Sequence, residues 1–215
     1  MRPDLVIFDC DGVLVDSELV ANRIFVEHLA RHGIAMTLEA ALRDLVGRSL
    51  PSCVALLEER HGRALPADFV ASLQAATMQA FASELAPVPG IAAALDRIDC
   101  PTCVASSSAP AKIRFSLDRT GLLPRFDGRL FSASEVARGK PYPDLFLHAA
   151  ARMGHDARRC VVVEDAVPGV QAGIAAGMRV LAYAGAAHAD VARLREAGGE
   201  IFTDMAELPG LLGFT

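Results

Sequence analysis

The sequence predicts an α/β protein, a doubly wound, Rossmann-like parallel sheet interrupted by an inserted all-helical unit. Short β-branched apolar runs alternate with helical patterns through the second half of the chain. Each of those helical patterns stops at a glycine, the residue that suits a left-handed helix end. Residues 16–86, by contrast, contain no strand-like run.

The first run, Leu5-Val6-Ile7-Phe8, halts at Asp9-Cys10-Asp11-Gly12 and reads as a buried parallel strand feeding a loop. Further strands are expected at 102–105, 160–163 and 180–183, with a weaker one at 129–131. Helices are expected at 112–120, closed by Gly121; at 145–153, closed by Gly154; and at 170–176, closed by Gly177. The strandless stretch reads as helices over 17–32, 37–46, 51–61 and 67–85. Gly33, Gly47 and Gly62 fall at the breaks, and Thr37 is an N-cap candidate. Ala86-Pro87-Val88-Pro89-Gly90 closes it as a linker. The expected domains are therefore an α/β core of residues 1–15 and 87–215 and a helical cap of residues 16–86. An insert directly after the first strand lies at the ligand end of such a sheet, where it would act as a lid.

The chain has 215 residues, 52% of them hydrophobic and 22% charged, which excludes a disordered chain and allows a sizeable core. The net charge of −5 and the lack of a basic stripe argue against nucleic acid as a partner. No apolar run approaches the roughly 18 residues of a membrane span, and the first one is too short for a secretory leader. A cytoplasmic protein with no membrane partner, monomeric or weakly homo-oligomeric, is the expectation. Five cysteines without a leader argue against a disulfide framework. Cys100-Pro-Thr-Cys103 has redox or zinc spacing, but nothing nearby completes such a site, so it reads as the entry to a buried strand. The basic residues are almost all arginine, Lys112 and Lys140 being the only lysines.

Ligands of open parallel sheets bind beyond the carboxyl ends of the strands, and the polar residues of this chain fall there. The first strand ends in Asp9 and Asp11, the second in Ser106-Ser107-Ser108, and the fourth in Glu164-Asp165; Lys140 sits in the loop after the weak third strand. The set suits phosphoryl transfer. A carboxylate attacking phosphate splits one hard displacement into two. Two unit charges 4 Å apart repel by about 4 kcal/mol at an effective dielectric of 20, so a cation is needed between them. Asp9, Asp165 and Glu164 offer hard oxygen ligands that select Mg2+. Lys140 adds fixed positive charge, and Ser106, with Ser107 beside it, binds the phosphoryl oxygens. Gly12 lets backbone N–H groups approach phosphate, and Asp11 can serve as acid and base.

Asp9-Cys-Asp11-Gly-Val-Leu-Val-Asp16-Ser-Glu18 closely resembles the first motif of the haloacid dehalogenase superfamily. Ser106, Lys140-Pro141 and Glu164-Asp165 match its remaining motifs in order. The resemblance runs from residue 4 to about 185, in sum most similar to the β-phosphoglucomutase-like phosphatase branch and, within it, to the bacterial 6-phosphogluconate phosphatases. It implies that Asp9 is the nucleophile and Asp11 the general acid/base. It also implies that Asp9, the Asp11 main-chain carbonyl and Asp165 hold Mg2+, with Glu164 beside them.

The departures within that family narrow the chemistry. Dehalogenases lack the second acid, present here as Asp11. Phosphonoacetaldehyde hydrolases need a cap lysine, and residues 16–86 contain none. The mutases carry a His and a cap-loop Arg where Ala21 and Leu50 stand, although Arg48 is close enough to substitute. The expected function is thus Mg2+-dependent hydrolysis of a small phosphorylated metabolite, a sugar phosphate or a sugar-acid phosphate such as 6-phosphogluconate. Arg48 and Ser49 are the candidates for reading its non-phosphate end. A hexose-phosphate mutase is one alternative, and a non-catalytic, receiver-like phosphate-binding domain is another.

Overall fold

A computed structural model describes residues 2–45, 50–186 and 189–214. Contacts divide the chain into two units, residues 1–16 with 86–215, and residues 17–85.

The first unit is built on six parallel strands: β1 (Leu5–Phe8), β2 (Thr102–Ser106), β3 (Leu130–Ser132), β4 (Cys160–Glu164), β5 (Arg179–Tyr183) and β6 (Glu200–Phe202). Their order across the sheet is β3-β2-β1-β4-β5-β6, so successive strands wind outward from β1 in both directions. β1 is central and all four of its side chains are buried, which is why it is a continuous apolar run with no alternation. Phe8 is level with Val104 on one side and Val163 on the other, so the chain leaves the sheet at Asp9 between β2 and β4.

Helices α1 (Glu18–Arg31), α2 (Leu38–Leu45), α3 (Leu50–His61) and α4 (Phe69–Glu84) belong to the second unit. Those of the first unit are α5 (Ile91–Asp96), α6 (Pro110–Arg119), α7 (Asp144–Met153), α8 (Val167–Ala175), α9 (Val191–Glu196) and α10 (Leu208–Leu211). Proline opens α6 and α8, where a missing N–H costs nothing. Gly121, Gly154 and Gly177 have positive φ, as the helix stops require. Leu145, Phe146 and Ala149 of α7 and Val170 and Ala172 of α8 bury against Ile7, Val162 and Val180 of the sheet. A Cβ on Gly173 would fall 2.5 Å from Val180 Cγ2, so the glycine allows α8 to lie close on β5. The edge strand β6 and the helices α5 and α9 were not expected from the sequence. They run three and six residues, too short for a periodic pattern to register.

The second unit consists of α1 to α4. Thr37 caps α2, its Oγ1 accepting from Ala40 N–H at 3.1 Å. Phe25, Leu29, Ile34, Leu57, Phe69 and Leu73 form its core. Its two ends leave the first unit side by side: Asp16 N–H donates to Ala86 C=O at 2.9 Å, and Val15 bridges Pro87. Among the described residues, no helix is long and apolar enough to cross a membrane.

Candidate active site

The loop after β1 folds back on itself. Gly12 N–H donates to Val15 C=O at 2.8 Å, and Leu14 and Val15 N–H both reach Cys10 C=O. Gly12 has φ +80°, which L side chains rarely adopt, and a Cβ there would lie 1.9 Å from Asp165 Oδ2. The Asp165 carboxylate therefore rests in the space that the glycine leaves, bringing the β4 end against the β1 loop.

Asp9, at the end of β1, is buried and accepts from Lys140 Nζ. The same ammonium donates to Glu164 Oε1 at 2.7 Å. Glu164 Oε2 in turn accepts from the N–H groups of Asp165 and Ala166, at 2.8 and 2.7 Å. Gly169 makes room for this carboxylate, since a Cβ there would lie 1.6 Å from Glu164 Oε1. Two glycines of α8 thus serve different ends: Gly173 lets the helix pack on the sheet, whereas Gly169 accommodates an acid of the site. Lys140 is carried on a braced loop. Arg138 clamps Asp144 with two hydrogen bonds of 2.8 and 3.1 Å and lies over the Tyr142 ring, and Lys140 Nζ sits 5.0 Å from the Phe146 centroid.

Two buried carboxylates thus share one ammonium, leaving one negative charge in excess. Burial acts most strongly on Asp9 and pushes its carboxyl up to about 7; the nearby Lys140 opposes this and Glu164 adds to it. Burial also works against the Lys140 ammonium, but the two carboxylates outweigh it and hold its pKa above the ordinary lysine value.

Ser106, at the end of β2, is buried, and its Oγ accepts from Ser108 N–H at 3.1 Å. It shapes a turn and does not cap α6, whose N-cap residue is Ala109. An accepting hydroxyl still carries a proton to donate. Ser107 is exposed at the crest of that turn. The Asp11 side chain faces two residues that sequence reasoning did not assign: Ser108 Oγ and Lys112 Nζ both donate to Asp11 Oδ2 at 2.8 Å. The scarcity of lysine was the available signal, because each of the two pairs with one of the two motif acids. Arg48 and Ser49 lie outside the described residues.

The donor set bears on a divalent cation. Among the described residues, no three Asp, Glu, His or Cys side chains converge as an ion cage. Glu164 has both oxygens in hydrogen bonds within the site and Asp11 has Oδ2 so engaged, and Asp9, Asp165 and the Asp11 carbonyl are the oxygens that would hold a cation. Two carboxylates with a main-chain oxygen are a sparse, hard set of the kind that would suit Mg2+. The excess negative charge also favours a cation.

The family of haloacid dehalogenase-like hydrolases matches residues 3–177. The chain belongs to that family. It is 35% identical to the 6-phosphogluconate phosphatase of Escherichia coli over 190 residues, covering 87% of this chain and 85% of that protein. Hexitol phosphatase A of Escherichia coli is 34% identical, over 91% of this chain and 89% of its own. A family hydrolase from Deinococcus radiodurans, solved with bound phosphate and sodium, superposes with a TM-score of 0.86 at 30% identity, covering 99% and 96% of the two chains. With such relatives this family member is a phosphatase, which sets aside a non-catalytic, receiver-like domain.

Proposed function

We propose that this phosphatase hydrolyses a small sugar phosphate or sugar-acid phosphate, such as 6-phosphogluconate, with Mg2+ and through an aspartyl-phosphate on Asp9. The observation that carries the reading is the buried Asp9 at the end of β1, held by an ammonium that it shares with Glu164. An Asp9 oxygen attacks phosphorus as the bond to the ester oxygen breaks, and Asp11 gives that oxygen a proton. Water then loses a proton to Asp11 and attacks phosphorus. The bond to Asp9 breaks, inorganic phosphate leaves, and both acids return to their starting states. Ser106 and Lys140 bind the transferring oxygens, Ser107 and the Gly12 backbone border them, and Glu164 holds Lys140. Asp9, Asp165 and the Asp11 carbonyl would hold Mg2+, which when bound offsets repulsion between the carboxylates and phosphate. The names of the two bacterial relatives support a sugar-derived substrate. On sequence grounds, Arg48 and Ser49 are assigned to its non-phosphate end.

The test is phosphate release from p-nitrophenyl phosphate and from 6-phosphogluconate with Mg2+. Both should proceed, and EDTA should stop both. A preparation that releases phosphate from neither overturns the reading, and activity on p-nitrophenyl phosphate alone overturns the substrate.

A further inference from the structure

Lys112 occupies the first turn of α6, where the helix dipole disfavours a cation, in a chain that uses arginine almost everywhere else. A compact ammonium with three donors can do there what a planar guanidinium cannot. Lys112 Nζ donates to Asp11 Oδ2 at 2.8 Å and to Ser108 Oγ at 3.0 Å, while Ser108 Oγ donates to the same Asp11 oxygen at 2.8 Å. The three groups close a ring of hydrogen bonds. Ser108 is itself pinned on both of its peptide groups. Its N–H donates to Ser106 Oγ, and its C=O accepts from Ser132 Oγ at 2.8 Å. The ends of β2 and β3 thereby set where Asp11, on the β1 loop, must lie.

We propose that Lys112 and Ser108 are positioning residues for Asp11. They hold Oδ2 and so fix the orientation of the carboxyl that exchanges protons in the two steps. This rests on the phosphatase reading above, in which Asp11 exchanges a proton in each half-reaction. The two halves differ in their need for it. p-Nitrophenolate leaves without a proton, whereas water cannot attack the aspartyl-phosphate unless a base removes one.

The experiment follows both steps by rapid quench with p-nitrophenyl phosphate and Mg2+ in the parent protein, Lys112→Met and Ser108→Ala. Nitrophenolate release in the first turnover should stay within about threefold of the parent, while breakdown of the phosphoenzyme slows about 10- to 100-fold, the cost of a misplaced catalytic group. Breakdown within threefold of the parent in both variants overturns the proposal. So does an equal slowing of both steps, which would mean general distortion, and so does a rise in the substrate concentration required without slower breakdown, which would make Lys112 a substrate ligand. A parent protein that forms no phosphoenzyme refutes the proposed aspartyl-phosphate route instead.

Discussion

Asp9 and Glu164, both buried, compete for a single ammonium, and a buried charge without its own partner is costly. Asp9→Asn would leave Lys140 balanced against Glu164. Turnover should fall at least about a thousandfold, as nucleophile removal does elsewhere. Meanwhile the melting temperature without Mg2+ should match or exceed that of the parent; a lower one would contradict a charge imbalance at Lys140. Gly12 makes the opposite case, a residue whose lack of a side chain is the function. Gly12→Ala places a methyl 1.9 Å from Asp165 Oδ2 at φ +80°. It should cost about 1–3 kcal/mol in denaturant unfolding, the usual penalty for a strained backbone. It should also weaken Mg2+ activation. Unchanged stability and activity would show that Asp165 is free to retreat.

Among the elements, α8 does two jobs with two glycines, close packing on the sheet at Gly173 and space for an acid at Gly169. Gly169→Ala should destabilise by about 1–3 kcal/mol through overpacking. It should also cut activity more than Gly173→Ala, because it pushes Glu164 off Lys140. Equal activity in the two variants would deny Glu164 its supporting role. At the far edge, Arg179 on β5 forks onto Glu200 on β6, with bonds of 2.8 and 2.6 Å. Those hydrogen bonds hold the Glu200 carboxyl below its ordinary value of 4.5, burial opposing them. A carboxyl lowered by folding stabilises above its unfolded pKa and loses that contribution as pH falls through the folded one. Because the pair is largely exposed, the effect is at most about 1 kcal/mol. Glu200→Gln should lower stability by no more than that at pH 7 and by progressively less as pH is lowered below 4.5, as urea titrations across that range can check.

For the whole molecule, the helical unit is an excursion from one point of the sheet. Asp16 and Ala86 are hydrogen-bonded at 2.9 Å where the chain leaves and returns. A short glycine-containing turn in place of residues 17–85 should give a folded α/β core with one cooperative melt. A product without a transition would mean that the core depends on the insert. The strandless character of the insert was legible because it lacks short β-branched apolar runs, whereas Leu5-Val6-Ile7-Phe8 and its counterparts are such runs. The short β6 escaped because Glu200-Ile-Phe holds too few residues to show alternation.

Local pattern alone determined the class of fold, the central strands and the list of acids, serine and lysine at their ends, since burial in a parallel sheet imposes apolar runs that must stop where the chain meets ligand. Only the tertiary structure decided who holds whom. Lys112 reaches Asp11 across 101 residues and Lys140 reaches Glu164 across 24, while Gly169 clears the space for Glu164. Such pairings depend on side-chain directions at neighbouring strand ends, and a one-dimensional pattern carries no record of which ends become neighbours.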